Sequence, residues 1–335
     1  MKQLIKILKI IFFTPFFVTE VFLFKSFRKK NSRYSHQYMI HFFSLFGAYL
    51  NICLGIFLGK KKVNIGSTLN EKIFLKKKNI IVKKLNNYGY HIQEKAISKN
   101  QIIEVKRYLK KLKGYYISDN HPAGSKKYFF NEKNPKAVKF FYESNDLIKS
   151  KLIQDLAFDR KILSIAEDYL GTAPILDIVT AWWSVPSENP DKKAAQFWHF
   201  DMDRPTWLKV FFYLTDCNED NGPHCYISGT HLKKKIPFKL RYKGYSRLND
   251  FEIVNTIQKR LIKKFTTNKG SVLFEDSSGL HKGLKLKAGS RLILQFQYSS
   301  SLFGANVDKL NLPVIKSDNF VNVEKNYKQI LEIFR

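Results

Sequence analysis

Beyond Gly171 the chain becomes a series of short runs rich in β-branched and aromatic residues, and that series limits the fold more than any other feature. The runs cover 175–185, 197–201, 208–214, 271–275 and 291–298, each closed by Pro, Gly, Asn or Asp. Before Gly171 the texture is helical. Residues 98–112 begin with a cap-forming Ser98 and carry Ile102, Ile103, Val105, Leu109 and Leu112, and 145–170 repeats the pattern from Leu147 to Leu170. Helices first and many short strands afterwards predict an α+β domain built round a sandwich or barrel. With 335 residues, 44% hydrophobic and 15% aromatic, there is ample material for such a core.

Strand alternation then says which side chains share a cavity. In the run 196–201, His199 and Asp201 face one way while Trp198 and Phe200 face the other. An imidazole and a carboxylate on one face are two metal ligands. Alone the pair means little, since eight histidines and 28 acids in this chain give about 0.7 such pairs by chance. Two ligands so close cannot close a metal site, and His281, after the run 271–275 and just before Gly283, is the candidate for a third. Two His and one carboxylate leave three positions open on an octahedral Fe(II), which suits oxygen activation with a chelating cosubstrate. Zinc is more often held by three protein ligands in a tetrahedral, hydrolytic site. Arg291 weighs on the same side. It opens a strand whose one face carries Arg291, Ile293, Gln295 and Gln297, and a guanidinium buried there calls for an anion, with a fork that matches a carboxylate.

His199-x-Asp201, His281 and Arg291 together resemble the signature of the Fe(II)/2-oxoglutarate-dependent dioxygenases, specifically the phytanoyl-CoA dioxygenase family. Other stretches agree in order. The helix 159–171 resembles the one before that family's barrel; Asn221-Gly222-Pro223 and Ser228-Gly229-Thr230-His231 are similar to its turns, and 269–274 to the strand before its distal histidine. The resemblance covers roughly 79–304. It implies a double-stranded β-helix (jelly-roll) core with packed helices. Fe(II) would be held by His199, Asp201 and His281, and the distal carboxylate of 2-oxoglutarate by Arg291. O2 would be the second cosubstrate, and succinate and CO2 the coproducts. Halogenating relatives lack the carboxylate, so Asp201 points to hydroxylation. His224 and Thr230 depart from the family's usual residues, and His224, in a loop of turn residues, is expected at the surface or behind the ligands. Asp203 is expected either behind the ligands or at the mouth of the site.

The expected organisation is an apolar, basic region at 1–62 followed by the dioxygenase domain at 75–335, with an insertion at 233–268 whose part 250–265 has helical spacing. Two apolar stretches lie in the first region, separated by a basic run at 25–33. The second, 39–59, has no charged residue over its length and at about 1.5 Å per residue just matches a ~30 Å hydrocarbon layer. Both a membrane-associated hairpin and ordinary helices packed on the enzyme domain fit these stretches. A lysine-rich start resembles a secretion signal, but no small-x-small cleavage site follows. Three cysteines without paired spacing fit a reducing compartment, so a cytoplasmic location is expected, with attachment to the inner membrane face in the hairpin case.

The net charge of +30 raises the question of a polyanion partner. Most of it is lysine in short scattered clusters, with no zinc-finger, helix-turn-helix or RNP pattern, so no specific nucleic acid is expected. The partners that remain are a small-molecule or lipid-linked substrate and a membrane surface. The competing function is a catalytically inactive membrane-associated scaffold on the same fold. A zinc hydrolase would leave Arg291 unexplained.

Overall fold

The computed structural model describes residues 2–24, 32–118, 126–232 and 235–335. Its first part is helical: α1 (Lys2–Val18), running on as a π-helical stretch (Thr19–Phe24), then α2 (Ser32–Phe46) and α3 (Tyr49–Leu58). The uncharged stretch 39–59 does not make one rod. Gly47, at a φ of 87° that other residues rarely adopt, interrupts it between α2 and α3. Among the described residues no helix is long and apolar enough to cross a membrane. The spanning hairpin therefore gives way to helices that pack on the domain, apart from residues 25–31, which lie outside the described residues. Phe17 stacks on Tyr38 at 4.2 Å and meets Phe303 edge-on at 6.0 Å; Phe43 lies 5.0 Å from Phe200.

Next come α4 (Lys78–Tyr88), β1 (Tyr90–Gln93), α5 (Lys99–Lys110), β2 (Gly114–Ile117), β3 (Lys139–Tyr142), α6 (Ser144–Leu147), α7 (Lys151–Ala157) and α8 (Arg160–Leu170). Ser98 starts α5 through a capping box with Gln101, as its sequence suggests. The pattern over 145–170 is cut into three helices because Ser150 and Asp159 turn their side chains onto backbone N–H groups and begin new ones. Asp159 also accepts from the N–H groups of Lys72 and Ile73, tying the segment after α3 to α8.

The strand-rich part comprises β4 (Ile175–Ser184), β5 (Trp207–Tyr213), β6 (His224–Ile227), α9 (Phe238–Arg241), α10 (Asp250–Val254), β7 (Ile262–Phe265), β8 (Val272–Glu275), β9 (His281–Gly283), β10 (Arg291–Ser299) and α11 (Asp318–Asn326). Two antiparallel sheets result, one of seven strands in the order β1-β8-β5-β10-β4-β3-β2 and one of three in the order β7-β6-β9. The helical spacing at 250–265 holds for α10, which Asn249 caps, and for a 3-10 turn at Lys259–Leu261; its last four residues, Ile262–Phe265, become β7, an edge strand of the small sheet. The stretch 233–268 thus supplies part of the core as well as a surface excursion.

The alternation read from 291–298 is the alternation observed. Leu292, Leu294, Phe296 and Tyr298 of β10, with Val179, Ala181 and Trp183 of β4, pack against α5 and α8 in the main core. Trp182, Ile293, Tyr213 and Leu273 face the other way and meet Tyr226 and Phe265 of the small sheet. Two antiparallel sheets over a shared interior are consistent with the expected jelly-roll core.

One buried ion pair pins the mouth of that interior. At the bulge of β4, Asp177 receives Arg204 Nε at 2.8 Å, and both side chains are inaccessible to solvent. Arg204 also donates to the carbonyl of Ala305, holding the loop after Asp201 against the loop after β10. Asp177→Ala, which strands the guanidinium, is expected to cost about 3–5 kcal/mol in urea unfolding. An Asp177→Leu/Arg204→Met double variant should recover most of that loss.

Candidate metal centre

Residues 196–202 form no ladder strand, contrary to the sequence expectation, but two isolated bridges hold them extended. Trp198 pairs with Leu248, and His199 with His281. The second bridge is reciprocal. His199 N–H donates to the carbonyl of His281 at 3.0 Å, and His281 N–H to that of His199 at 2.8 Å. Residues directly opposite in such a pair project side chains to one side, and the two imidazole centroids lie 4.2 Å apart. Asp201 N–H donates to Ser277 O at 2.8 Å, fixing the carboxylate next to them. One ligand atom from each of His199, Asp201 and His281 lies within 4.8 Å of the others. Trp198, Phe200 and Met202 point away, into a cluster with Ile40 and Phe43 of α2.

The hydrogen bonds decide which nitrogen is free. His199 Nδ1 sits 2.8 Å from the carbonyl of Phe197, and His281 Nδ1 2.9 Å from that of Gly279. A carbonyl only accepts, so Nδ1 carries the proton and Nε2 presents its lone pair to the shared space. Burial pushes both imidazoles below their usual range, and for His199 the neighbouring His281 adds to it. Burial, the largest single influence, would raise the Asp201 carboxyl, but Lys209, whose Nζ lies 2.5 Å from Oδ2, together with His281 and His199 holds it below its usual range and ionised. Two neutral imidazoles and one carboxylate are the protonation states a divalent cation requires.

Arg291 lies on the inner face of β10, as the alternation predicts, and is buried. Its Nε and Nη1 have no hydrogen-bond partner among the described residues. A second cation shares the neighbourhood. Ser184 pairs with Arg291 on one side and Lys139 on the other, which puts both cations in one row across the sheet. Lys139 Nζ stands 4.3 Å over the ring of Trp182 and 4.4 Å over Phe141. Burial, then Arg291 and Lys209, push its ammonium down to about 7, with Asp191 acting in the opposite sense. A buried guanidinium whose Nε and Nη1 have no partner among the described residues, with a half-buried ammonium in the same row, is the chemistry expected of a site built for an anion.

The phytanoyl-CoA dioxygenase family matches residues 85–290, which include both histidines and Asp201. The chain belongs to that family. Arg291 stands one residue beyond the matched span. No curated protein matches in sequence. Among solved structures, HygX from Streptomyces hygroscopicus, with nickel and 2-oxoglutarate bound, is similar at a TM-score of 0.50 and 14% identity, over 71% of this chain and 91% of that one. EvdO2 from Micromonospora carbonacea var. aurantiaca gives 0.48 and 15%, over 69% and 94%, and SnoN, an epimerase of nogalamycin biosynthesis, 0.45 and 14%, over 66% and 80%.

For this family member, all four residues singled out by sequence lie within one interior. Lys209 and Lys139 were not singled out, because a lysine in a short strand reads as solvent-facing; the alternation of β5, which puts Lys209 level with Gln297, was the available signal. His224 is not a surface residue. Its Nε2 lies 2.7 Å from the buried Glu275, and its ring centroid 5.6 Å from that of His281, so it sits behind the ligand, the second of the two expected places. Asp203 accepts from Tyr245 Oη at 2.8 Å and lines a cavity with Arg204, Thr180 and Gln295. If the cation cluster is as described, an NMR titration of dimethylated lysines should contain one resonance with a midpoint near 7, absent in Lys139→Arg, against an ordinary value of about 10.4. A midpoint above about 9 would show a hydrated ammonium.

Proposed function

We propose that His199, Asp201 and His281 hold Fe(II), that Arg291 receives the distal carboxylate of 2-oxoglutarate, and that the protein hydroxylates a small organic substrate. Family membership carries the oxygenase-type function; the observation that carries the finer reading is the unpartnered guanidinium of Arg291 in the interior where three ligand atoms converge. HygX, which supports the fold, has nickel and 2-oxoglutarate bound, in keeping with this cosubstrate. With 2-oxoglutarate and O2, such an iron centre supplies oxidative decarboxylation to succinate and CO2 coupled to hydroxylation of a carbon–hydrogen bond.

The chain's own residues do the positioning. The carbonyls of Phe197 and Gly279 orient the two imidazoles. Lys209 occupies Asp201 Oδ2 and so favours ligation through Oδ1, which keeps further positions open for cosubstrate and O2. Lys139 and Arg291 offer two cations to a dianion, and aromatic walls from Trp182, Phe211 and Phe141 keep water from it. No protein base or nucleophile is needed.

In this reading the substrate would occupy the cavity of about 440 Å³ that Asp203 and Gln295 help to line. Asp203 lies there two residues on from Asp201, and Gln295 is on the Arg291 face of β10, with Thr180, Arg204 and Asn306 completing polar walls. With Val179, Val307, Leu310 and Ile333 also in the walls, the lining suits a small molecule that offers both polar and apolar groups. Because these residues are arranged for binding and turnover, the inactive-scaffold reading is not favoured.

Anaerobic calorimetry tests the assignments. Arg291→Ala should weaken 2-oxoglutarate by about 30-fold or more while metal binding is kept, the effect of truncating one partner of a buried charge pair. Unchanged cosubstrate affinity would refute the role of Arg291. Lys209→Met should weaken Fe(II) by about 10–100-fold, as expected for a group that orients a ligand from behind.

A further inference from the structure

The helix formed by α1 and its π-helical continuation is apolar on two opposite sides, and the fold covers only one. Ile10, Phe13, Phe17 and Val21 face the protein, where Phe13 stacks with Tyr34 and His41, and Phe17 with Tyr38. Leu4, Leu8, Ile11, Val18 and Phe22 recur at steps of four, three, seven and four, one stripe of a helix, and are 44–63% exposed. A helix that merely covered a water-soluble domain would be polar there. The stripe does not end with the helix. Phe22 lies 5.8 Å from Phe57 of α3, and Ile56 beside it is 70% exposed. Ile56 also lines an apolar cavity of about 380 Å³ between α3 and the domain, with Ile52, Met202, Trp207 and Leu232 among its walls. The cavity and the exposed stripe thus share Ile56 as a common wall residue. Exposed apolar area of this continuity marks an interaction site.

We infer that this face lies on an anionic lipid bilayer, with the helix in the plane of the interface. No described helix can span, which leaves the in-plane arrangement. Charge selects the lipid. Lys9 is exposed on α1, and Lys60, Lys61 and Lys62 are exposed after α3. Basic residues bordering an apolar helix face are the pattern that anionic headgroups attract. The same charge disfavours a second copy of the chain as the occupant, since each carries +30 and would bring like charge to the seam. This inference is independent of the proposed catalytic reading.

Sedimentation of the full chain with sucrose-loaded vesicles tests it. The protein should bind vesicles of equal phosphatidylglycerol and phosphatidylcholine at least about tenfold more tightly than pure phosphatidylcholine, less so as salt rises. Leu8→Glu/Ile11→Glu, at exposed positions that leave circular dichroism unchanged, should weaken binding to the anionic vesicles at least about tenfold. Absence of binding to anionic vesicles would overturn the inference. So would equal binding of the double variant, or a dimer in light scattering that the double variant dissolves.

Discussion

Two backbone hydrogen bonds between His199 and His281 hold the organisation of this molecule together. Each residue donates to the other's carbonyl, so the extended segment after Gln196 and the strand β9 cannot slide without moving both imidazoles. A slip of one residue would replace His199 by Trp198 or Phe200 on the inner face and turn the cluster with α2 inside out. The packing of Phe43 on Phe200 and the buried Asp177–Arg204 pair protect the same register from opposite sides. Site and scaffold are thus held by one constraint.

Within the interior, charge is arranged in two zones. Asp201 is matched by Lys209, and Glu275 lies 2.7 Å from His224 Nε2. Arg291 Nε and Nη1 have no partner among the described residues, and the acid that acts on Lys139 is the more distant Asp191. The unbalanced cations lie on the row of the sheet next to Ser184, where Trp182 and Phe141 limit solvent and make an uncompensated charge costly. In the proposed reading, a dianionic cosubstrate would restore the balance. This is why the guanidinium of Arg291 says more about function than the surface charge of the whole chain.

Much of this was legible in the sequence because strand periodicity is two. The alternation over 291–298 sorts Arg291 and Gln295 from Leu292 and Leu294 without any structure, and the same rule pairs His199 with Asp201. The parts that were not legible depend on long-range pairing. Lys209 and Lys139 look like solvent-facing lysines until β5 and β3 are placed in the seven-stranded sheet. The residues 250–265 have helical spacing, yet their last four pair with β6. The uncharged length 39–59 suggested a span, but one glycine backbone angle divides it into two short helices. Local pattern names the faces; only tertiary pairing says which face is inside.

The number of positions left open at the centre is the central claim. Cobalt(II) substitution with absorption spectroscopy measures it most directly. Two imidazoles and one carboxylate, with the remaining positions filled by water, predict the weak visible bands of six-coordinate cobalt, perturbed when 2-oxoglutarate is added to the wild type. Intense bands of a four-coordinate centre, unchanged by 2-oxoglutarate, would contradict the account and indicate a closed or hydrolytic site instead.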